Sequence, residues 1–113
     1  MTAVIQLSRG INEEATNVKI TRSRDGSVSI ATFSFEQPNC WNPDRPEALE
    51  ITGMFMLDEE GEISTRNVSA KYMNGKLTRV EAVYKMQGEA EWQRFLRFMN
   101  RYAEANGMGF TKA

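Results

Sequence analysis

The sequence contains no histidine and only one cysteine among its 113 residues. The missing histidine removes the commonest general base and the commonest transition-metal ligand. The single cysteine, Cys40, excludes an intramolecular disulfide and a zinc site built from several cysteines. The chain also lacks a G-x-S-x-G nucleophile motif, a phosphate-binding P-loop and a G-x-G-x-x-G dinucleotide motif after a strand. These absences predict a protein that is not an enzyme and holds no metal or other cofactor.

Long hydrophobic runs and a strong net charge are missing as well. No run approaches the roughly 20 apolar residues of a membrane-spanning helix, and the first residues do not form a secretory signal. With 14 basic and 15 acidic residues the net charge is −1, so the composition does not indicate nucleic-acid binding. The length allows one hydrophobic core. We therefore expect one cytosolic-type domain spanning residues 1–113.

The strongest structural signal is helical and runs from Glu89 to Asn106. Apolar residues recur there at i, i+3, i+4 and i+7, which places them on one helix face that we expect to be buried. They are Trp92, Phe95, Leu96, Phe98, Met99, Tyr102 and Ala103. Acidic residues in the first turn and a glycine after the end are typical helix start and stop signals. The opposite face carries Arg94, Arg97 and Arg101, which we expect to be exposed.

The segments before the helix show the alternation of apolar and polar residues that is typical of strands. The first three predicted strands are Val4–Leu7, Asn17–Arg24 and Ser27–Glu36. Asp25-Gly26 predicts a hairpin between the last two. A two-residue turn there places Phe33 opposite Val18 and Ala31 opposite Ile20.

The stretch after this turn is less regular. The returning strand has apolar residues on both faces, which indicates either a strand covered on both sides or a bulge near Ala31–Thr32. The next segment, Gln37–Glu47, holds all three prolines and predicts a loop of about ten residues, because proline removes ladder donors. Trp41 within it either folds back on the core, which we favour, or marks a contact with a partner.

From Leu49 to Gln87 the sequence predicts a three-strand antiparallel meander. Its strands are Ile51–Leu57, Ile63–Tyr72 and Lys76–Gln87. The acidic turn Asp58–Gly61 lacks the ligand spacing of a calcium loop, so we expect a solvated hairpin tip. For the second turn, hydrophobic matching favours a three-residue loop, Met73–Gly75, which pairs Val68 with Val80 and gives Gly75 a left-handed conformation.

The predicted fold is therefore α+β: one antiparallel sheet of about five to six strands, covered on one face by one long C-terminal helix. Exposed sheet edges carry unpaired backbone groups, so the physical argument favours binding by addition of a partner's strand. The candidate partner-binding side chains are the cations of the second strand, two methionines and the helix arginines. They are Lys19, Arg22, Arg24, Met54, Met56, Arg94, Arg97 and Arg101.

Several ordered segments resemble the family of photosystem II assembly proteins called Psb28. The segments that carry the resemblance are Arg9–Glu14, Thr21–Gly26, Ile51–Glu62, Lys71–Gly75, Glu91–Met99 and Asn106–Phe110. The resemblance covers nearly the whole chain except Gln37–Ala48. It implies a soluble, non-enzymatic factor of cyanobacterial photosynthesis that attaches peripherally to the cytoplasmic side of the thylakoid membrane.

The resemblance also implies the partners and the mode of binding. The partners are assembly intermediates of photosystem II, contacted beside the core antenna protein CP47 and the reaction-centre subunits. Segments of these partners extend the sheet of the bound factor, and the immature acceptor side is protected. The resemblance implies no catalytic or metal-binding residue.

A function from another class is a small-molecule-binding α+β domain with a pocket between helix and sheet. Seven methionines and six phenylalanines are able to line such a pocket, but they more simply fill a core. A cavity with convergent polar groups would favour the pocket, and a closed, dry core would count against it.

Overall fold

The computed structural model describes residues 3–40 and 51–105. Most of the predicted loop Gln37–Glu47, including Trp41, lies outside the described residues, as do the predicted helix end at Asn106 and the segment that follows it. The prediction for Trp41 therefore stays a prediction.

The described chain forms eight strands and one helix. In order they are β1 (Val4–Ser8), β2 (Ile11–Glu13), β3 (Asn17–Arg22), β4 (Val28–Glu36), β5 (Met54–Asp58), β6 (Gly61–Thr65), β7 (Val68–Met73), β8 (Lys76–Gln87) and α1 (Gly88–Ala105). The strands make two four-stranded antiparallel sheets, the first in the order β2-β1-β5-β6 and the second in the order β3-β4-β8-β7. Antiparallel strands with one C-terminal helix are confirmed, whereas the prediction of a single sheet of five to six strands is wrong.

The predicted strand Ile63–Tyr72 is in fact two strands in different sheets, so the three-strand meander does not exist. β6 pairs with β5, and β7 pairs with β8. Where the chain crosses between the sheets, the Thr65 hydroxyl donates to the Val83 carbonyl oxygen at 2.8 Å and accepts the Asn67 amide at 3.1 Å. Four polar residues in a row, Ser64–Asn67, interrupt the apolar alternation here and shift its phase between Ile63 and Val68, a signal that the prediction of one continuous strand overlooked.

Both sheets and the helix contribute to one core. The helix buries Trp92, Phe95, Met99 and Tyr102, as predicted, and the Phe95 ring meets the edge of Phe33 at a centroid distance of 6.1 Å. The larger buried side chains of the two sheets are Ile5, Leu7, Met54, Met56, Phe33, Phe35, Val80 and Met86. The helix thus holds the two sheets together.

The β3–β4 hairpin has the predicted register, with Val18 opposite Phe33. Its loop has four residues rather than two, because Ser23 donates its amide to the Val28 carbonyl oxygen at 2.9 Å and accepts the Gly26 amide at 3.0 Å. Adding one residue on each side of a turn leaves the opposing pairs unchanged, so the wrong loop length still led to the right register. β4 runs without a bulge.

The β7–β8 hairpin contradicts the predicted three-residue loop. Its turn consists of Asn74 and Gly75 alone, with φ angles of 54° and 77°, and the residues on either side pair directly. A bulge at Thr78 in β8 then shifts the register after Lys71, so that Ala70 lies opposite Val80 and Val68 lies opposite Ala82, which makes the predicted Val68–Val80 pair wrong. The apolar faces match as expected, but a bulge two residues from the turn achieves this instead of a longer loop. The positive φ of Gly75 is confirmed.

Candidate functional site

The acidic hairpin tip between β5 and β6, which we call the acidic tip (Asp58–Gly61), is bound to the helix. Arg94 donates two hydrogen bonds to the Asp58 carboxylate, at 2.9 and 2.7 Å, and Arg101 donates a third at 2.9 Å. Glu60 accepts from Arg97 at 2.8 and 2.9 Å and from Arg101 at 2.6 Å. The expectation of a solvated tip is wrong for Asp58, whose side chain is 0% exposed.

These contacts lower the pKa of both carboxyl groups. Burial alone would raise the pKa of Asp58, but the hydrogen bonds from Arg94 and Arg101 outweigh it and bring the pKa to about 2. Hydrogen bonds from Arg97, then from Arg101, lower the pKa of Glu60 to about 2. Both groups are therefore charged at neutral pH.

The helix arginines are less exposed to a partner than the sequence predicted. The exposed side-chain fractions are 20% for Arg94, 49% for Arg97 and 29% for Arg101, so the prediction of an exposed row holds only for Arg97. Glu59 adds a further ion pair with Arg101 at 3.5 Å. A partner that bound this face through the arginines would have to break ion pairs within the chain.

The basic stripe of β3 divides into one fixed cation and two exposed ones. The Arg22 guanidinium lies 4.4 Å from the centroid of the Trp92 ring and donates to the Ser29 hydroxyl at 3.0 Å. Lys19 and Arg24 are exposed and form no ion pair within residues 3–40 and 51–105. Cations of this kind attract an acidic partner and steer its approach.

The outer edge of β3 carries a regular row of backbone groups. Ser23 donates its amide to Val28, and hydrogen-bonded pairs alternate along an antiparallel ladder. The amides of Val18, Ile20 and Arg22 therefore point away from β4. The β3–β4 register is unbroken, and none of the described strands pairs with this edge.

The opposite edge of the same sheet, β7, is less regular. Val83 donates its amide to the Asn67 carbonyl oxygen at 2.9 Å, so the amides of Val68 and Ala70 point outward by the same alternation. The Val68 amide is already bonded to the Arg66 carbonyl oxygen at 2.9 Å. The extra residue of the bulge, Thr78, is in the neighbouring strand β8, and a bulge increases the local twist of an edge.

The hairpin tip between β7 and β8, which we call the basic tip (Lys71–Lys76), is a feature that the sequence reasoning missed. Tyr72 is 57% exposed and Met73 is 67% exposed, although both are large apolar side chains. The available signal was the charge pattern. From Arg66 to Val80 there is no acidic residue, whereas four basic residues occur, Arg66 included.

Met54 and Met56, the two candidate methionines, are 0% exposed. In this conformation their side chains cannot touch a partner, and they contribute to the packing of β5 between β1 and β6. Any role in binding is therefore indirect.

The interface between helix and sheets is closed rather than hollow. Trp92, Phe95 and Phe98 are at most 1% exposed, and no buried side-chain nitrogen or oxygen of the described residues lacks a hydrogen-bond partner. Two surface grooves of about 670 and 680 Å³ lie elsewhere, one beside Arg9 and Phe55 and one beside the basic tip. This arrangement gives the small-molecule pocket no support.

Two further features are absent from the part of the chain that the structure describes. There, histidine, cysteine and carboxylate side chains do not gather in groups of three or more that are able to hold a metal ion. None of its helices is both long and apolar enough to cross a membrane.

Comparisons with known proteins place this arrangement in a family. Residues 5–110 match the family model described as Psb28 protein. The photosystem II reaction center Psb28 protein of Synechococcus elongatus is 52% identical over 114 residues, which cover 100% of both chains. The protein of the same name from Guillardia theta is 50% identical over 112 residues, which cover 98% of this chain and 97% of the relative. The photosystem II assembly factor Psb28 protein of Thermosynechococcus vestitus is 51% identical over 112 residues, with 98% and 94% covered.

Proposed function

Because this chain belongs to the Psb28 family, we propose that it is a non-enzymatic factor that binds assembly intermediates of photosystem II. The relatives are named as a photosystem II reaction center protein and as a photosystem II assembly factor. The partners in this proposal are the core antenna protein CP47 and the reaction-centre subunits. The protein attaches peripherally to the cytoplasmic side of the thylakoid membrane and protects the immature acceptor side.

The proposed mode of binding is the addition of a partner strand to the outer edge of β3. The observation that carries it is the regular row of outward amides at Val18, Ile20 and Arg22, which follows from the unbroken β3–β4 register. An extended peptide is able to pair with such a row through its own backbone, largely irrespective of its side chains. Lys19 and Arg24, both exposed, steer an acidic segment toward the edge.

The other candidate residues are held within the folded chain. Arg22 is held against Trp92, so its outward amide lies in a fixed position. Met54 and Met56 pack in the core and hold the first sheet, and the helix arginines fasten the acidic tip. Their proposed contribution is to stiffness, which reduces the entropy lost on binding.

A proline at an outward amide tests the proposal, because proline deletes the donor while an edge strand tolerates it. Val18→Pro should weaken binding to photosystem II assembly complexes, isolated from cells that lack this protein, by about tenfold. That estimate combines the net value of a lost hydrogen bond with the bulk of the ring at the edge. Val18→Ala keeps the amide and removes the same half-buried side chain, so it is the matched control for packing and should bind nearly normally.

The same substitution at the other edge locates the binding strand. Ala70→Pro removes an outward amide of β7 at an exposed small residue, and should leave binding unchanged. If Ala70→Pro weakens binding and Val18→Pro does not, the edge used is β7. If neither does, strand addition is rejected.

Arg97→Gln tests the helix face separately, since Arg97 is the most exposed helix arginine at 49%. A large loss of binding in this variant would favour the helix face as the site.

A further inference from the structure

The basic tip combines exposed apolar side chains with unpaired cations at one end of the second sheet. Tyr72 and Met73 are the two most exposed of the large apolar side chains in the described residues, at 57% and 67%. Being consecutive in a strand, they point to opposite faces of the hairpin. A structure that approached the tip end-on would contact both.

The charged side chains of the basic tip itself, Lys71 and Lys76, are both positive. Lys71 and Lys76 are exposed and form no ion pair with any residue that the structure describes. Farther from the turn, Arg79 is weakly paired with Glu81 at 3.8 Å and lies opposite Glu36 of β4, so the uncompensated positive charge is that of the two lysines. A net charge of −1 for the whole chain shows that this positive end is a local feature.

The tip is also preformed. Asn74 and Gly75 both have positive φ, as a type I′ turn requires. The Thr78 hydroxyl donates to the Lys71 carbonyl oxygen at 3.0 Å and fixes the bulge. Little conformational entropy is therefore lost when the tip docks.

We propose that the basic tip docks on the surface of an anionic lipid bilayer, with Tyr72 and Met73 entering the headgroup region and Lys71 and Lys76 bound to anionic headgroups. An amphipathic aromatic ring prefers the membrane–water interface, and methionine adapts its shape to an irregular apolar environment. Lysines next to such side chains are attracted by the negative surface potential. The charge complementarity favours an anionic bilayer over an apolar protein groove. This contact goes beyond the proposed binding to photosystem II and does not require it.

Co-sedimentation of the purified full chain with vesicles tests the proposal. Vesicles of phosphatidylcholine with phosphatidylglycerol should bind the protein, and vesicles of phosphatidylcholine alone should not. Lys76→Gln should weaken binding about fivefold, the value of one lysine near an anionic surface. Lys85→Gln is the matched control, because Lys85 is exposed on the same strand, about 30 Å from the tip by strand rise, and it should have no effect.

The apolar part of the contact has its own control. The double variant Tyr72→Ser with Met73→Ser should weaken vesicle binding about tenfold through lost apolar burial. Ile11→Ser removes another exposed large apolar side chain, 37% exposed on the first sheet, and should bind as the unaltered chain does. In Tyr72→Trp, bromine-labelled acyl chains should quench fluorescence beyond the background of the native tryptophans.

Three results would overturn the proposal: no binding to anionic vesicles, equal loss in Lys76→Gln and Lys85→Gln, or no quenching of Tyr72→Trp. Loss of binding to detergent-solubilised photosystem II complexes in the Tyr72/Met73 variant, without any vesicle binding, would assign the tip to a protein partner instead. Failure of the strand-addition proposal can be told apart from failure of the membrane proposal. Val18→Pro should leave vesicle binding unchanged, whatever its effect on binding to photosystem II complexes.

Discussion

The acidic tip and the basic tip are both closed by two-residue turns, Glu59-Glu60 and Asn74-Gly75. Each has a glycine with positive φ, which follows the turn at Gly61 (124°) and lies within it at Gly75 (77°). They differ in what the rest of the chain offers them. Three arginines of the helix bind the carboxylates of the acidic tip, whereas no described carboxylate pairs with Lys71 or Lys76. One tip is therefore part of the folded interior, and the other is a free surface.

The difference shows that a row of cations on a helix is weak evidence for a binding site when an acidic turn occurs in the same chain. Spacing on the helix predicted which face the arginines share, but not that Asp58 would lie under them. A surface is better recognised by charge that the chain does not neutralise. By that criterion β3 and the basic tip are stronger candidates than the helix.

The largest expected effect that tests this comparison is at the buried carboxylate. Asp58→Ala should lower the free energy of unfolding by about 3 kcal/mol, the lower end of the range for breaking a buried ion pair, because Glu60 still partly compensates the arginines. Urea denaturation measures the change. Glu59→Ala, whose side chain is 62% exposed, is the control and should change stability by less than about 0.5 kcal/mol. Equal effects would show that the acidic tip is not part of the interior.

Acid should weaken the same contact by a smaller amount. The pKa of Asp58 is lowered to about 2 in the folded chain from about 3.9 in the unfolded chain. Its contribution, about 2.6 kcal/mol from that difference, is present above pH 4 and is lost as the pH falls toward 2. Asp58→Asn should remove this part of the acid dependence of unfolding. An unchanged acid profile in that variant would mean that Asp58 is not the responsible group.

The basic tip depends on its turn rather than on ion pairs. Gly75→Val should destabilise the protein by about 1–2 kcal/mol, because a branched side chain is strained at positive φ, and no neighbouring atom lies within 4 Å of the added Cβ to clash with it. Thermal unfolding measures this change. Asn74→Gly, at the adjacent positive φ of 54°, should not destabilise the turn. A destabilising Asn74→Gly together with a neutral Gly75→Val would reject the strain argument.

Much of the fold follows from local patterns in the sequence. The helix phase was predictable because six large apolar side chains repeat at helical spacing, and the β3–β4 register was predictable because hydrophobic faces must match. The division into two sheets was not predicted, because the four polar residues Ser64–Asn67 mark a break in the strand but do not say that β6 pairs with β5 and β7 with β8. The bulge after Lys71 was missed for a different reason. A bulge and a longer loop place the same side chains on the same face of the sheet, so the alternation of apolar residues alone does not distinguish them.

The candidate site was predictable only in part. The cations of β3 and the helix were visible in the sequence, but which of them the chain neutralises depends on distances between elements far apart along it. Arg94 and Asp58 are 36 residues apart in the sequence, yet Arg94 Nη2 lies 2.7 Å from Asp58 Oδ1. Burial of Met54 and Met56 likewise depends on which face of β5 meets the core. These facts belong to tertiary structure, and no spacing rule supplies them.

The smallest expected effect on stability is at the exposed side chains of the basic tip. Tyr72→Ser with Met73→Ser should change the free energy of unfolding by less than about 0.5 kcal/mol, as is usual for surface positions, because both side chains are mostly in solvent. Met56→Ala, at a fully buried methionine, should show a loss of stability several times larger in the same urea titration.

If the double variant instead loses 1 kcal/mol or more, which is the scale of a buried contact, Tyr72 and Met73 must pack on the chain. The basic tip would then be interior like the acidic tip, and the comparison would fail. A neutral result leaves two large apolar side chains exposed with no benefit to folding, which is the pattern expected of a surface kept for binding.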